Sequence, residues 1–135
     1  MVADTSGLVA LFNRRESAHA AVAGFVVSTD EALVVSPYVL AELDCLLATR
    51  AGIEAELAVL RELAGAAFVP AGLEAGEVKQ AAGVIERYAE LGIGLADASM
   101  VVLAARLGTK VILTLDRRHF GVLRPLDGGR FRIVP

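Results

Sequence analysis

The sequence predicts an α/β fold: a parallel sheet carrying helices on both of its faces. Three observations carry that expectation. Short apolar runs alternate with longer stretches whose apolar residues recur at helical spacing. Strands that alternate with helices call for a parallel sheet, and right-handed crossovers leave few strand orders to choose from. Composition supplies the core: 56% of residues are hydrophobic, only 5% aromatic, and mean hydropathy is +0.60. At 135 residues one domain spanning 1–135 is expected, because chains of this size form a single core. No linker, repeat or low-complexity segment interrupts it.

The first strand is very short, Met1 to Ala3, and stops at Asp4-Thr5-Ser6. Gly7 to Phe12 continues as a helix with Leu8, Leu11 and Phe12 on one face, and Thr5 or Ser6 can cap it. Asn13-Arg14-Arg15-Glu16 breaks the pattern. A second helix runs from Ser17 to about Val27, with Ala20 and Phe25 inward. Leu33 to Ser36 is a second buried strand. Pro37 suits the first turn of the next helix, which reaches about Arg50 with Val39, Leu40, Leu43, Leu46 and Leu47 as its apolar stripe. Gly52 stops it. A fourth helix, Glu54 to about Ala64, groups Leu57, Leu60 and Leu63.

Ala67 to Pro70 reads as an edge strand, because Pro70 cannot donate to a ladder. Glu74 to Leu91 reads as one long helix with Val78, Ala81, Ala82, Ile85 and Tyr88 inward. Gly92 and Gly94 bracket a turn. Leu95 to Leu107 is another helix, holding Met100, Val101, Leu103 and Ala104, and Gly108 ends it. Val111, Ile112 and Leu113 form an unbroken apolar run, the mark of a buried strand. Phe131 to Val134 is the last strand.

The single cysteine, Cys45, excludes an internal disulfide. Beside Leu46 and Leu47 it is expected to be a small buried apolar residue, which suits a reducing compartment. The first strand is under way at Val2, so no secretory leader is expected. No apolar run reaches the ~20 residues that a membrane helix requires, so a cytoplasmic protein is expected. Net charge is −3. Residues 106–135 hold seven lysines and arginines against two aspartates, which leaves +5 there and −8 on the rest. A basic segment on an acidic body suits an anionic partner approaching one side; arginines that merely solvate surface loops would give the same pattern.

Four acids stand at places that can meet. Asp4 follows strand one, and Asp116 follows strand four after Thr114 and Leu115. Glu42 lies in the second turn of the helix after strand two, and Asp97 in the first turn of the helix leading into strand four. A helix start favours an ionised carboxylate. Ligands of open α/β sheets bind outside the carboxyl ends of the strands, at a topological switch point. If strands one and four are neighbours there, these acids ring one crevice. Each has another reading taken alone: Asp4 as a helix cap, Asp97 as a dipole partner, Asp116 as a turn residue, Glu42 on a solvated face near Asp44.

Close like charges cost on the order of a few kcal/mol per pair at an effective dielectric near ~20, so protons or cations must neutralise some of them. An all-oxygen cluster suits Mg²⁺ or Mn²⁺ rather than zinc. Such an ion can activate a water against a phosphodiester. Arg117 and Arg118 stand where they can hold the phosphate. Of the two histidines, His19 is expected at the surface. His119 can touch substrate, but packing or capping beside Phe120 explains it as well, so it is assigned no general-base role.

These residues resemble those of the PIN-domain ribonucleases, and in particular the VapC-type toxins of bacterial toxin–antitoxin pairs. The resemblance covers the whole chain. It rests on Asp4-Thr5-Ser6, on Pro37-Tyr38-Val39-Leu40-Ala41-Glu42-Leu43, on Gly94-Leu95-Ala96-Asp97-Ala98-Ser99, and on Thr114-Leu115-Asp116-Arg117-Arg118-His119-Phe120, in that order. It implies a three-layer α/β/α domain with about five parallel strands, and Mg²⁺- or Mn²⁺-dependent endoribonuclease activity. It implies that Asp4 and Asp97 are the principal metal ligands and that Glu42 and Asp116 complete the quartet, directly or through water. Hydroxyls such as Thr5, Ser6 and Thr114 would orient those ligands. It further implies a homodimer, a cognate VapB-type antitoxin that covers the site, and a structured RNA as substrate: a tRNA or the sarcin–ricin loop of 23S rRNA.

Other classes stay in view. A phosphotransferase with Asp4 as nucleophile would want an acid two residues on, where Ser6 stands. A phospho-receiver would want paired acids after strand one and a lysine closing a late strand, whereas Lys110 begins one. A non-catalytic or housekeeping RNA-binding protein of the same fold would keep the architecture without the cleavage.

Overall fold

A computed structural model describes residues 1–135. Five strands, β1 (Val2–Ala3), β2 (Leu33–Val35), β3 (Phe68–Pro70), β4 (Val111–Leu113) and β5 (Arg132–Val134), form one parallel sheet in the order β3-β2-β1-β4-β5. Seven helices connect them: α1 (Thr5–Phe12), α2 (His19–Ser28), α3 (Pro37–Arg50), α4 (Ile53–Leu63), α5 (Ala75–Arg87), α6 (Leu95–Arg106) and α7 (Arg117–Phe120). The order reverses between β1 and β4. The chain builds outward from that pair in both directions, and right-handed crossovers cover both faces with helices.

Val2 lies opposite Val34 on one side and Ile112 on the other, and Ala3 lies opposite Leu113. The ends of β1 and β4 are therefore level. Gly7 keeps them close to α1: a Cβ there would stand 2.7 Å from the Leu113 carbonyl oxygen. The core is one continuous cluster of 28 buried apolar residues. Its centre is α6, where seven consecutive residues, Ala98 to Ala104, are buried. A helix enclosed on every side has nowhere to shift, so Asp97 in its first turn is held firmly.

The edge position of β3 and the inward residues of α6 agree with the sequence reading. Several helix faces do not. In α2 the buried residue is Val22 and Ala20 is exposed. In α4 Val59 and Leu63 are buried and Leu57 is exposed. In α3 the buried pair is Val39 and Leu43, and Cys45 is exposed rather than buried. These errors share a cause. Residues two apart on a helix point nearly opposite ways, and each misread residue lies two positions from a buried one. The expected helix to Leu91 ends at Arg87 and is followed by a 3₁₀ turn, Ala89–Leu91. Within α5 a narrow seam, Ala81 and Val84, is buried; Val78 and Ala82 face outward. His19 is half-buried, and its Nδ1 lies 2.9 Å from the Ala10 carbonyl oxygen. No helix is long and apolar enough to cross a membrane.

Candidate active site

The carboxyl edge of β1 and β4 opens into a cleft of about 550 Å³. Asp4, Glu42, Asp97 and Asp116 all line it, together with Thr5 and Ser6. Thr114 stands behind them, buried. Six of the positions expected from sequence thus share one cleft, with a seventh supporting them.

Asp4 is buried, at 7% exposure. It caps α1, and one oxygen, Oδ2, takes every bond: from the Ser6 amide at 3.3 Å, the Ser6 hydroxyl at 2.6 Å and the Thr114 hydroxyl at 2.7 Å. The same two hydroxyls accept the backbone amides of Leu115 and Asp116, each at 2.9 Å. The end of β1 is thereby sewn to the end of β4 through Asp4. Oδ1 has no protein partner, and no buried polar side-chain atom lacks one. Oδ1 is therefore the oxygen that reaches the cleft. Glu42 repeats the pattern: the Thr5 hydroxyl donates to Oε2 at 2.6 Å, and Oε1 stays free.

At Asp97 the Gly94 amide donates to Oδ2 at 3.3 Å. The carboxyl is held above the ordinary carboxylate range. Burial is the largest cause; the Gly94 bond and nearby His119 oppose it, and the negative charges of Asp4 and Asp116 reinforce it. Asp116 caps α7. Its Oδ1 accepts the His119 amide at 2.9 Å, and its Oδ2 lies 3.1 Å from His119 Nδ1.

His119 also lines the cleft, 3.4 Å through Nδ1 from Asp97 Oδ2. Sequence reasoning left it between substrate contact and packing or capping, and gave it no general-base role. The signal was the spacing: the third residue after a helix cap turns back toward the cap. Arg117 and Arg118 were expected to hold the phosphate. They occupy the first two positions of α7, are exposed, and do not line the cleft. The arginine in the cleft wall is Arg50, at the end of α3, with Glu16 also present.

The donor set fits a hard divalent ion. No three acids or histidines close on one point in this arrangement. Mg²⁺, however, is usually held by one or two carboxylates and keeps several waters. Asp4, Glu42 and Asp97 each offer one tethered and one free oxygen, and no thiolate competes.

Residues 1–123 match the family described as PIN domain. The chain is 57% identical to Ribonuclease VapC26 of Mycobacterium tuberculosis over 135 residues, the whole of both chains. Three solved structures share its fold. VapC20 of Mycobacterium tuberculosis, a sarcin–ricin loop cleaving toxin, has a TM-score of 0.79 at 22% identity, covering 87% of this chain and 91% of its own. VapBC2 of Rickettsia felis, bound to a DNA fragment from its promoter, gives 0.72 at 15% identity over 99% and 98% of the two chains. DNA-bound VapBC of Salmonella typhimurium gives 0.69 at 19% identity over 98% and 96%.

Proposed function

The chain belongs to the PIN domain family, and from that premise we propose that it is a Mg²⁺- or Mn²⁺-dependent endoribonuclease acting as the toxin of a toxin–antitoxin pair. The observation that carries the reading is the set of three carboxylates, Asp4, Glu42 and Asp97, each with one oxygen fixed and the other free at one cleft. Asp4 and Asp97 would hold the ion directly, and Glu42 would reach it through water. A bound divalent ion supplies an activated water and offsets charge on the scissile phosphate.

The rest of the work falls to the protein. Ser6 and Thr114 fix the direction of Asp4, and Thr5 fixes Glu42. Fixed second partners sharpen a ligand's aim and commonly govern its affinity. Burial keeps Asp97 in a partly water-excluded wall, where charge interactions are stronger. Arg50 is placed to meet a backbone phosphate entering a cleft that otherwise repels it.

The substrate we propose is a structured RNA of the cytoplasm, a tRNA or the sarcin–ricin loop. The 57% identity to a protein named a ribonuclease supports the reaction class, and the named activity of the similar VapC20 supports the second substrate. A VapB-type antitoxin is the proposed partner, as in the two complexes of similar fold, with the toxin itself a homodimer. The test is direct. Purified protein should cut total RNA at discrete ends with Mn²⁺ and not with excess chelator, and Asp97→Asn should cut nothing. Tight RNA binding without any cleavage would instead make it a non-catalytic RNA-binding member of the fold.

A further inference from the structure

We propose that His119 is a positioning residue for the carboxylates, and that Asp116 serves the site through His119 rather than as an ion ligand of its own. The proposal rests on the ion-dependent reading above. Asp4, Glu42 and Asp97 each keep an oxygen without a protein partner, and Asp116 keeps none. Both of its oxygens face the same residue: Oδ1 meets the His119 amide at 2.9 Å and Oδ2 meets the ring Nδ1 at 3.1 Å. Asp116 is thereby aimed at His119 through both oxygens, unlike the other three acids.

The ring then passes the constraint on. Nδ1 bridges Asp116 Oδ2 and Asp97 Oδ2, the latter at 3.4 Å. Asp97 Oδ2 is also the oxygen that the Gly94 amide holds. Everything fixed on Asp97 is therefore fixed on one oxygen, and Oδ1 is left toward the cleft.

His119 is itself well anchored. Its side chain is 18% exposed. The next residue, Phe120, is 1% exposed and meets Phe131 edge-on at 6.2 Å. The helix that carries the ring is thus nailed to the core through Phe120, and Asp116 caps that same helix.

The experiment is calorimetric titration of RNA-free protein with Mn²⁺, with the melting of the ion-free protein measured alongside. His119→Ala and Asp116→Asn should each weaken Mn²⁺ binding about 10- to 100-fold, the range for partners that orient metal ligands. The double variant should bind no worse than the weaker single, because residues acting as one unit are not additive. His119→Asn, whose amide nitrogen can stand where Nδ1 stands, should recover most of the affinity. His119→Gln should not. If His119→Ala fails to fold, the Asn and Gln variants decide. Unchanged binding in His119→Ala, equal recovery by Asn and Gln, or losses that multiply in the double variant would overturn the proposal. Wild-type protein that binds Mn²⁺ but cuts no RNA would end the ribonuclease reading and leave this one standing. Wild-type protein that binds no Mn²⁺ would end both.

Discussion

Asp97 sits where burial and two neighbouring acids favour its protonated form. An acid whose folded value is raised binds extra protons in the native state, so its ionisation costs stability as pH climbs from the ordinary carboxylate range through the raised value. Asp97→Asn removes that cost. The variant should melt at a higher temperature than wild type near neutral pH, and the gap should close below the ordinary value of 3.8. Mn²⁺ should raise the melting temperature of wild type and leave the variant's unchanged. A melting series over pH, with and without the ion, checks both. Thr114→Val removes a hydroxyl that donates to Asp4 and accepts the Asp116 amide. It should cost about 1–3 kcal/mol in denaturant unfolding and lower cleavage at saturating RNA. At this scale the four acids were legible, because strand ends and helix starts announce themselves in the sequence. His119 was not, since its role comes from a cap geometry four residues long. The turn that brings His119 back carries Arg117 and Arg118 to the exposed side of α7, outside the cleft lining.

Among the elements, the strands were the most legible, because buried parallel strands are continuous apolar runs. Helix faces were less so. An alanine-rich segment such as α2 offers too little contrast between its sides to fix the angle, and Val22 emerges as buried only when the neighbours are in place. The four residues of α7 are too few for any period. Packing now ranks positions that composition could not. Met100→Ala, fully buried in α6, should cost about 2–5 kcal/mol. Val78→Ala, 41% exposed on α5, should stay within about 0.5 kcal/mol of wild type. Gly7→Ala places a methyl group against the Leu113 carbonyl oxygen and should cost about 1–3 kcal/mol by overpacking. Because it pushes α1 from β4, it should also slow cleavage more than Met100→Ala does at matched stability. Urea melts paired with initial rates check the ranking.

In the whole molecule, the sheet order explains why residues as far apart in sequence as Asp4 and His119 share a cleft. Level ends of β1 and β4 at the reversal bring Asp4 beside Thr114 and Asp116, and α3 and α6 lower Glu42 and Asp97 over the same edge. Charge is arranged less simply than the basic tail suggested. Arg50, in the acidic part of the sequence, lines the cleft, while Arg117 and Arg118 stay outside it. Arg50→Ala should weaken RNA binding and lower its salt slope by about 1, as losing one phosphate contact does; Arg117→Ala should do less, and binding measured across a salt series separates them. The most direct test of the account is anomalous diffraction from a Mn²⁺-loaded crystal. The account predicts one strong peak at bonding distance from Asp4 Oδ1 and Asp97 Oδ1. A cleft without a peak at saturating Mn²⁺, or an ion seated away from both aspartates, would contradict it.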